Sequence, residues 1–120
     1  MSVAVGMRGV RLARWMCSAL LVVACVPVAH AADAPAGQVI ASRNACMGCH
    51  AVDRKLVGPA FQQIAAKYKG DPQAGAKLAR KVKDGGSGVW GVIPMPSHPS
   101  MSDADIRTVV DWVLAGAPAK

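Results

Sequence analysis

The stretch Cys46-Met47-Gly48-Cys49-His50 decides the reading of this 120-residue chain. It has the form C-x-x-C-H, the attachment sequence for a c-type haem. Two thiols can add across the two vinyl groups of a porphyrin, and two intervening residues let both sulfurs reach one edge of the macrocycle. The adjacent histidine then faces the iron and can bind it through an imidazole nitrogen. Three other chemistries compete. A dithiol redox pair sits in a βαβ setting, and no strand pattern surrounds Cys46. A structural zinc site needs four ligands, and no second C-x-x-C or paired histidine follows. A plain disulfide between neighbours is the third. An export signal and a candidate sixth ligand favour one covalently bound haem c, held by Cys46 and Cys49 with His50 on the iron.

The export signal lies at the front of the chain. Arg8, Arg11 and Arg14 form a basic region without acids, the run Trp15 to Val26 is apolar, and Pro27 breaks it. Ala29-His30-Ala31 then has the small-x-small form of a signal peptidase site. Residues 1–31 therefore read as a Sec-type secretory signal and 32–120 as a single domain in the periplasm. The apolar run falls short of the ~20 residues that span a bilayer, so no stable membrane insertion is expected. Val22-Val23-Ala24-Cys25 resembles a lipobox, and lipid anchoring through Cys25 is the less favoured alternative. Met7 is a second possible start. With Cys17 and Cys25 in the signal, only Cys46 and Cys49 remain beyond it. A domain this short has a thin core and usually needs a staple, which a covalently held apolar plate supplies.

Beyond residue 31 the chain has eleven Lys and Arg against seven Asp and no Glu, a formal balance of +4. That modest excess suits steering toward acidic protein surfaces. It comes with no motif or aromatic interleaving for nucleic acid.

The periodicities are helical. Asp33 to Gly37 reads as a lead-in and Gln38 to Ala45 as a helix running directly into Cys46. Ala51 to Pro59 reads as a loop, Phe61 to Tyr68 as a short helix, and Ala74 to Lys83 as another with Leu78 and Val82 on one face. Ser102 caps a last helix whose Ile106, Val109, Val110, Val113 and Leu114 follow the i, i+3, i+4, i+7, i+8 pattern. Met101, just before that cap, reads as a hydrophobic staple. Between the last two helices, Gly85 to Met101 holds four glycines and three prolines, which excludes regular structure. The fold class is all-α, about four short helices in one domain.

The long loop carries the candidates for the sixth iron position. In Ile93-Pro94-Met95-Pro96 the prolines restrict the backbone on both sides of Met95, so its thioether can be held toward the iron. His98 is the rival, and would give bis-histidine ligation. A solvated loop histidine is the plainer reading of His98.

With these residues in place, the chain resembles the small bacterial class I cytochromes c of the c-551 (c8) type. Gly58-Pro59-Ala60, Gly88-Val89-Trp90-Gly91 and Ile93-Pro94-Met95-Pro96 carry the resemblance, which extends from about Val39 to Leu114. It implies the cytochrome c fold around one covalently attached haem, with His50 and Met95 as axial ligands. It also implies that the Pro59 carbonyl accepts a hydrogen bond from His50 and that the Trp90 indole reaches a haem propionate. Three positions depart from the pattern. Lys81 stands where an arginine is frequent, His98 stands in a lengthened stretch near the place of an asparagine, and Ala41 replaces a larger apolar residue, with Trp112 available to compensate.

The expected function is a monomeric, periplasmic one-electron carrier without enzymatic turnover. It would meet a reductase or oxidase at the haem edge through apolar Val57, Val89 and Ile93, with Arg54, Lys55 and Lys83 on the rim. The alternatives are a haem-bearing subunit of a larger oxidoreductase and a gas-binding haem sensor.

Overall fold

The computed structural model describes residues 33–120; the expected export signal and cleavage site lie outside the described residues. Four helices follow in order: α1 (Ala36–Arg43), α2 (Phe61–Lys67), α3 (Ala74–Asp84) and α4 (Asp103–Leu114). A single 3-10 turn, Cys46–Gly48, lies between α1 and α2. Among the described residues the only strand-like pairing is two isolated bridges, His50 with Lys55 and Gly86 with Met95. The expected all-α class holds.

Helix α4 is the hub, and α1, α2 and α3 each pack against it. Its apolar stripe explains why. Ile106, Val109, Val110, Trp112 and Val113 are all buried, and burying each such side chain is worth about 1.5–3 kcal/mol. The cap is worth about 1 kcal/mol and fixes where the helix starts: the Asp105 N–H donates to Ser102 Oγ at 3.1 Å. Met101, 5% exposed, joins the same core as Ile106, which is the staple expected of it.

The α1–α4 contact depends on a glycine. Gly37 lies inside α1 and is buried, not in a lead-in. A Cβ there would fall 2.2 Å from Trp112 Cβ and 2.7 Å from Trp112 Cγ. The indole therefore occupies the space that a side chain at position 37 would need. Beside it Ala41 is fully buried, so small residues on α1 and one large residue on α4 share the interface. Trp112 fills the space over Gly37. Its indole N–H donates to the Pro118 carbonyl at 2.9 Å, which folds the chain end back over the ring.

The two middle helices are started by side chains. Gln63 Oε1 accepts the Ala60 N–H at 2.9 Å at the head of α2. Before α3, Asp71 accepts from the Gln73 N–H at 2.8 Å and from Lys77 Nζ at 2.7 Å. The Lys77 ammonium and the Gln73 N–H hold the Asp71 carboxyl below its usual range.

Gly37→Ala tests the interface. Alanine is the better helix former, yet its methyl group meets the Trp112 side chain and the Thr108 carbonyl at once. The holoprotein should lose about 1–3 kcal/mol in guanidinium unfolding, the usual cost of overpacking. Stability at or above wild type would show that the helices can part without penalty.

Candidate functional site

The attachment turn is set up by a reversal of backbone hand. Helix α1 ends at Arg43 and Asn44 caps it, its Nδ2 donating to the Ile40 carbonyl at 2.9 Å. Ala45 then adopts φ 58, ψ 13, a left-handed conformation that costs a non-glycine residue roughly 1 kcal/mol or more. The helix expected to run through Ala45 into Cys46 is thus broken one residue before the first cysteine. The break starts a new tight turn in which the N–H groups of Cys49 and His50 both donate to the Cys46 carbonyl, at 3.2 and 3.0 Å. Both thiols are free and partly buried. Burial pushes the Cys46 thiol above its ordinary value.

His50 is the best-fixed side chain of the region and only 8% exposed. Its Nδ1 lies 2.7 Å from the Pro59 carbonyl oxygen. A carbonyl can only accept, so Nδ1 carries the proton and Nε2 keeps its lone pair. Two further contacts hold the ring in place. The Gly58 backbone lies against it, so closely that a Cβ there would sit 2.5 Å from His50 Cε1. The Gly58 N–H donates to the Cys49 carbonyl at 2.8 Å and so ties this wall to the attachment turn. On α2, the Phe61 ring stacks on the imidazole at 5.2 Å and 17°, and itself meets Trp112 edge-on at 5.2 Å.

Met95 sits in the long loop, which forms no helix. Its N–H and carbonyl exchange two hydrogen bonds with Gly86, both 3.0 Å. Gly85, at φ 72, packs against the same segment, and a Cβ there would lie 2.5 Å from the Met95 carbonyl oxygen. The methionine is therefore fixed by backbone pairing as well as by its flanking prolines. The downstream end of the loop is held by α3. The His98 N–H donates to the carbonyls of Val82 and Lys83, and Lys83 Nζ donates to the Met101 carbonyl at 2.9 Å and pairs with Asp103 at 3.2 Å.

Two expectations change here. Lys83 is part of the scaffold between α3 and α4, not a free charge on the rim. His98 is not a solvated loop residue: the free carbonyls ending α3 draw its main chain in, and its Nδ1 is buried without a hydrogen-bond partner. Trp90 is 41% exposed, so burial alone does not oblige its indole N–H to find a partner. Its ring instead lies beneath Lys67 Nζ, 5.3 Å from the centroid. The roles of Ala45, Lys67 and Lys83 have no local signal in the sequence, because each depends on what the fold places beside it.

These residues fit a covalently held haem. Two reduced thiols one turn apart precede an imidazole whose Nε2 is the free nitrogen. The Gly58 backbone forms a wall that a side chain would displace. Apolar side chains exposed on the loops after His50 and before Met95, Leu56, Trp90 and Val92 among them, offer surface beside which a porphyrin can lie. Among the described residues no cluster of His, Cys, Asp and Glu could hold a bare metal ion instead.

Comparison with known proteins agrees. A family model described as cytochrome c matches residues 34–117. The chain is 51% identical over 75 residues to cytochrome c-552 of Nitrosomonas europaea, covering 62% of this chain and 73% of that protein. It is 43% identical over 88 residues to cytochrome c-551 of Pseudomonas aeruginosa, covering 73% and 84%. The crystal structure of the wild-type Nitrosomonas europaea protein superposes with a TM-score of 0.63 at 49% identity, over 65% of this chain and 96% of that one. A class 1 cytochrome from Sideroxydans lithotrophicus superposes with a TM-score of 0.60 at 30% identity, over 68% and 92%.

The wall behind His50 is open to test. Gly58→Ala puts a methyl group into the imidazole, so the ring must tilt away from the Pro59 carbonyl. The holoprotein should lose about 1–3 kcal/mol of stability, and the electron paramagnetic resonance spectrum of its ferric form should shift. An unchanged spectrum would show that the ring has room to spare.

Proposed function

The chain belongs to the cytochrome c family, and from that premise we propose that it shuttles single electrons between redox proteins of the bacterial periplasm, as a monomer. Residues 1–31 direct export and are removed; residues 32–120 are the haem domain. Cys46 and Cys49 would hold the haem through thioethers, His50 Nε2 and Met95 Sδ would serve as its two iron ligands, and Trp90 would reach a propionate. The bound haem supplies a metal centre that passes between Fe(II) and Fe(III).

The observation that carries this reading is the fixed imidazole. With Nδ1–H on the Pro59 carbonyl at 2.7 Å and Phe61 stacked on the ring, His50 can offer Nε2 in one direction only. A carbonyl partner also raises the electron-donating power of the ligating nitrogen. On the other side, the Gly86–Met95 pairing holds the methionine main chain at one place. Two protein ligands would leave no iron position for oxygen or a substrate, and electron transfer is the chemistry that would remain. An iron held by both residues would count against a gas sensor.

Docking follows from what is exposed. Val57, Val89 and Ile93 are exposed apolar side chains on the loops that border the attachment turn and the ligand loop. Arg54 and Lys55 lie beside Val57 in sequence. The Arg54–Asp53 pair, at 3.6 Å with both side chains largely exposed, does little to neutralise the arginine. Weak electron-transfer encounters bury little area, and such charges act mainly on association rate.

Two measurements test the proposal. Replacing Met95 with alanine should abolish the long-wavelength absorbance band that marks thioether ligation of ferric haem, and should let the reduced protein bind carbon monoxide at neutral pH. Retention of the band would remove Met95 from the iron. Arg54→Glu with Lys55→Glu should slow electron transfer to an acidic partner at low salt and flatten its salt dependence, with the potential nearly unchanged. A rate indifferent to both charge reversal and salt would leave docking to the apolar surface alone.

A further inference from the structure

The ligand loop is long, and most of what holds it lies on one side. Among the described residues its hydrogen bonds run within the loop or to α3. Gly85 donates to Lys81, Gly86 pairs with Met95, Gly88 donates to Gly91, and His98 donates to Val82 and Lys83. Lys83 returns a bond to Met101. A different kind of contact crosses to α2: Lys67 Nζ stands over the Trp90 ring, 5.3 Å from its centroid. This is within the ~6 Å at which an ammonium is attracted by the negative face of an aromatic ring, and tryptophan is the strongest such acceptor. Among the described residues no carboxylate pairs with Lys67, so the ring is what its charge meets.

The two ends of this contact belong to opposite sides of the site. Helix α2 begins at Phe61, two residues after the Pro59 carbonyl that orients His50, and Phe61 stacks on the imidazole. Trp90 lies five residues before Met95, between Gly88 and Gly91, which have positive φ and give the segment little stiffness of its own. The contact therefore links the helix behind the His50 side to the most weakly tied part of the loop that carries Met95.

We propose that Lys67 is a positioning residue: its ammonium, seated on Trp90, clasps the Met95 loop to α2 and so keeps the sixth ligand on the iron. The inference rests on ligation by Met95. It assigns Lys67 a part distinct from docking and from holding the haem itself. Opening the loop must break the clasp, so the clasp lowers the share of molecules in which Met95 is off the iron. Removing it raises that share by the clasp's own free energy, a two- to fivefold change for a contact of this kind near solvent.

The test uses the ferric holoprotein and imidazole, which competes for the iron only when Met95 has left. Lys67→Gln keeps helix propensity and removes the charge. It should raise imidazole affinity two- to fivefold and speed hydrogen exchange at the Gly88 and Met95 amides. Lys67→Arg, which keeps a cation for the ring, should stay near wild type. In a Trp90→Leu background, Lys67→Gln should change neither readout. If Trp90→Leu fails to take up haem, Trp90→Phe serves, with a smaller Lys67→Gln effect because the weaker ring is left. Wild-type affinity and exchange in Lys67→Gln would overturn the proposal. So would an effect of undiminished size in the Trp90 variant, since the lysine would then be acting through the end of α2 alone. If Met95→Ala keeps its long-wavelength band, the ligation reading fails, while exchange at Gly88 and Met95 still decides whether Lys67 clasps the loop.

Discussion

The hydrogen bond from His50 Nδ1 to the Pro59 carbonyl is the constraint on which the rest of the structure is arranged. A carbonyl nine residues away can meet the imidazole only if the chain between them turns back sharply. The Gly58 N–H on the Cys49 carbonyl and the His50–Lys55 bridge close that turn. Once closed, the turn brings Phe61 onto the imidazole face. Phe61 meets Trp112, and Trp112 fills the space over Gly37. A chain of contacts thus runs from the imidazole through α2 and α4 to α1. A shift of the ring would have to be passed along a close-packed series, and packed interiors resist such shifts strongly.

The Met95 side is built on another principle. Its anchors are backbone hydrogen bonds, a close approach at Gly85 and side chains reaching in from neighbouring helices, with little apolar burial. Local stability follows buried contacts, so this side is the one expected to open first. The division suits a cytochrome that binds one covalently attached haem c. The side that carries the attachment sequence is locked into the core. The opposite side is closed by a loop whose tethers can be adjusted one at a time without disturbing the fold.

How much of this was legible in the sequence depends on the range of the forces involved. Ser102 and the apolar stripe of α4 were readable because capping and periodicity act within one helix, and the disorder of pattern over Gly85 to Met101 was readable because proline and glycine act on their own backbone. The pairing of thiols with a histidine was readable because the spacing is covalent chemistry. The helix at Gly37 was not. Glycine reads as a breaker, and only the presence of Trp112 on another helix turns it into a packing device. Ala45 in a left-handed conformation runs against its own preference, and the strain is sustained because the attachment turn must begin there. His98 looked solvated because a lone histidine beside proline has no local reason to be buried; the open carbonyls at the end of α3 provide one.

Charge follows the same logic. A count of eleven basic residues beyond position 31 suggests a broad cationic surface. Several of these charges are occupied in the scaffold. Lys77 completes the turn before α3 with Asp71, Lys83 joins α3 to the start of α4 through Asp103 and the Met101 carbonyl, and Lys67 lies on Trp90. An ammonium near a carboxylate loses most of its field at a distance, and what remains is screened within about 8 Å at physiological salt. The long-range pull on an acidic partner is therefore less than the count implies, and it comes from cations that no carboxylate neutralises; Lys67, over a neutral ring, keeps its charge. Arg54 and Lys55, on the turn that His50 closes, are two such residues. The turn that fixes the imidazole also carries the charge on which the proposed docking at the haem edge would draw.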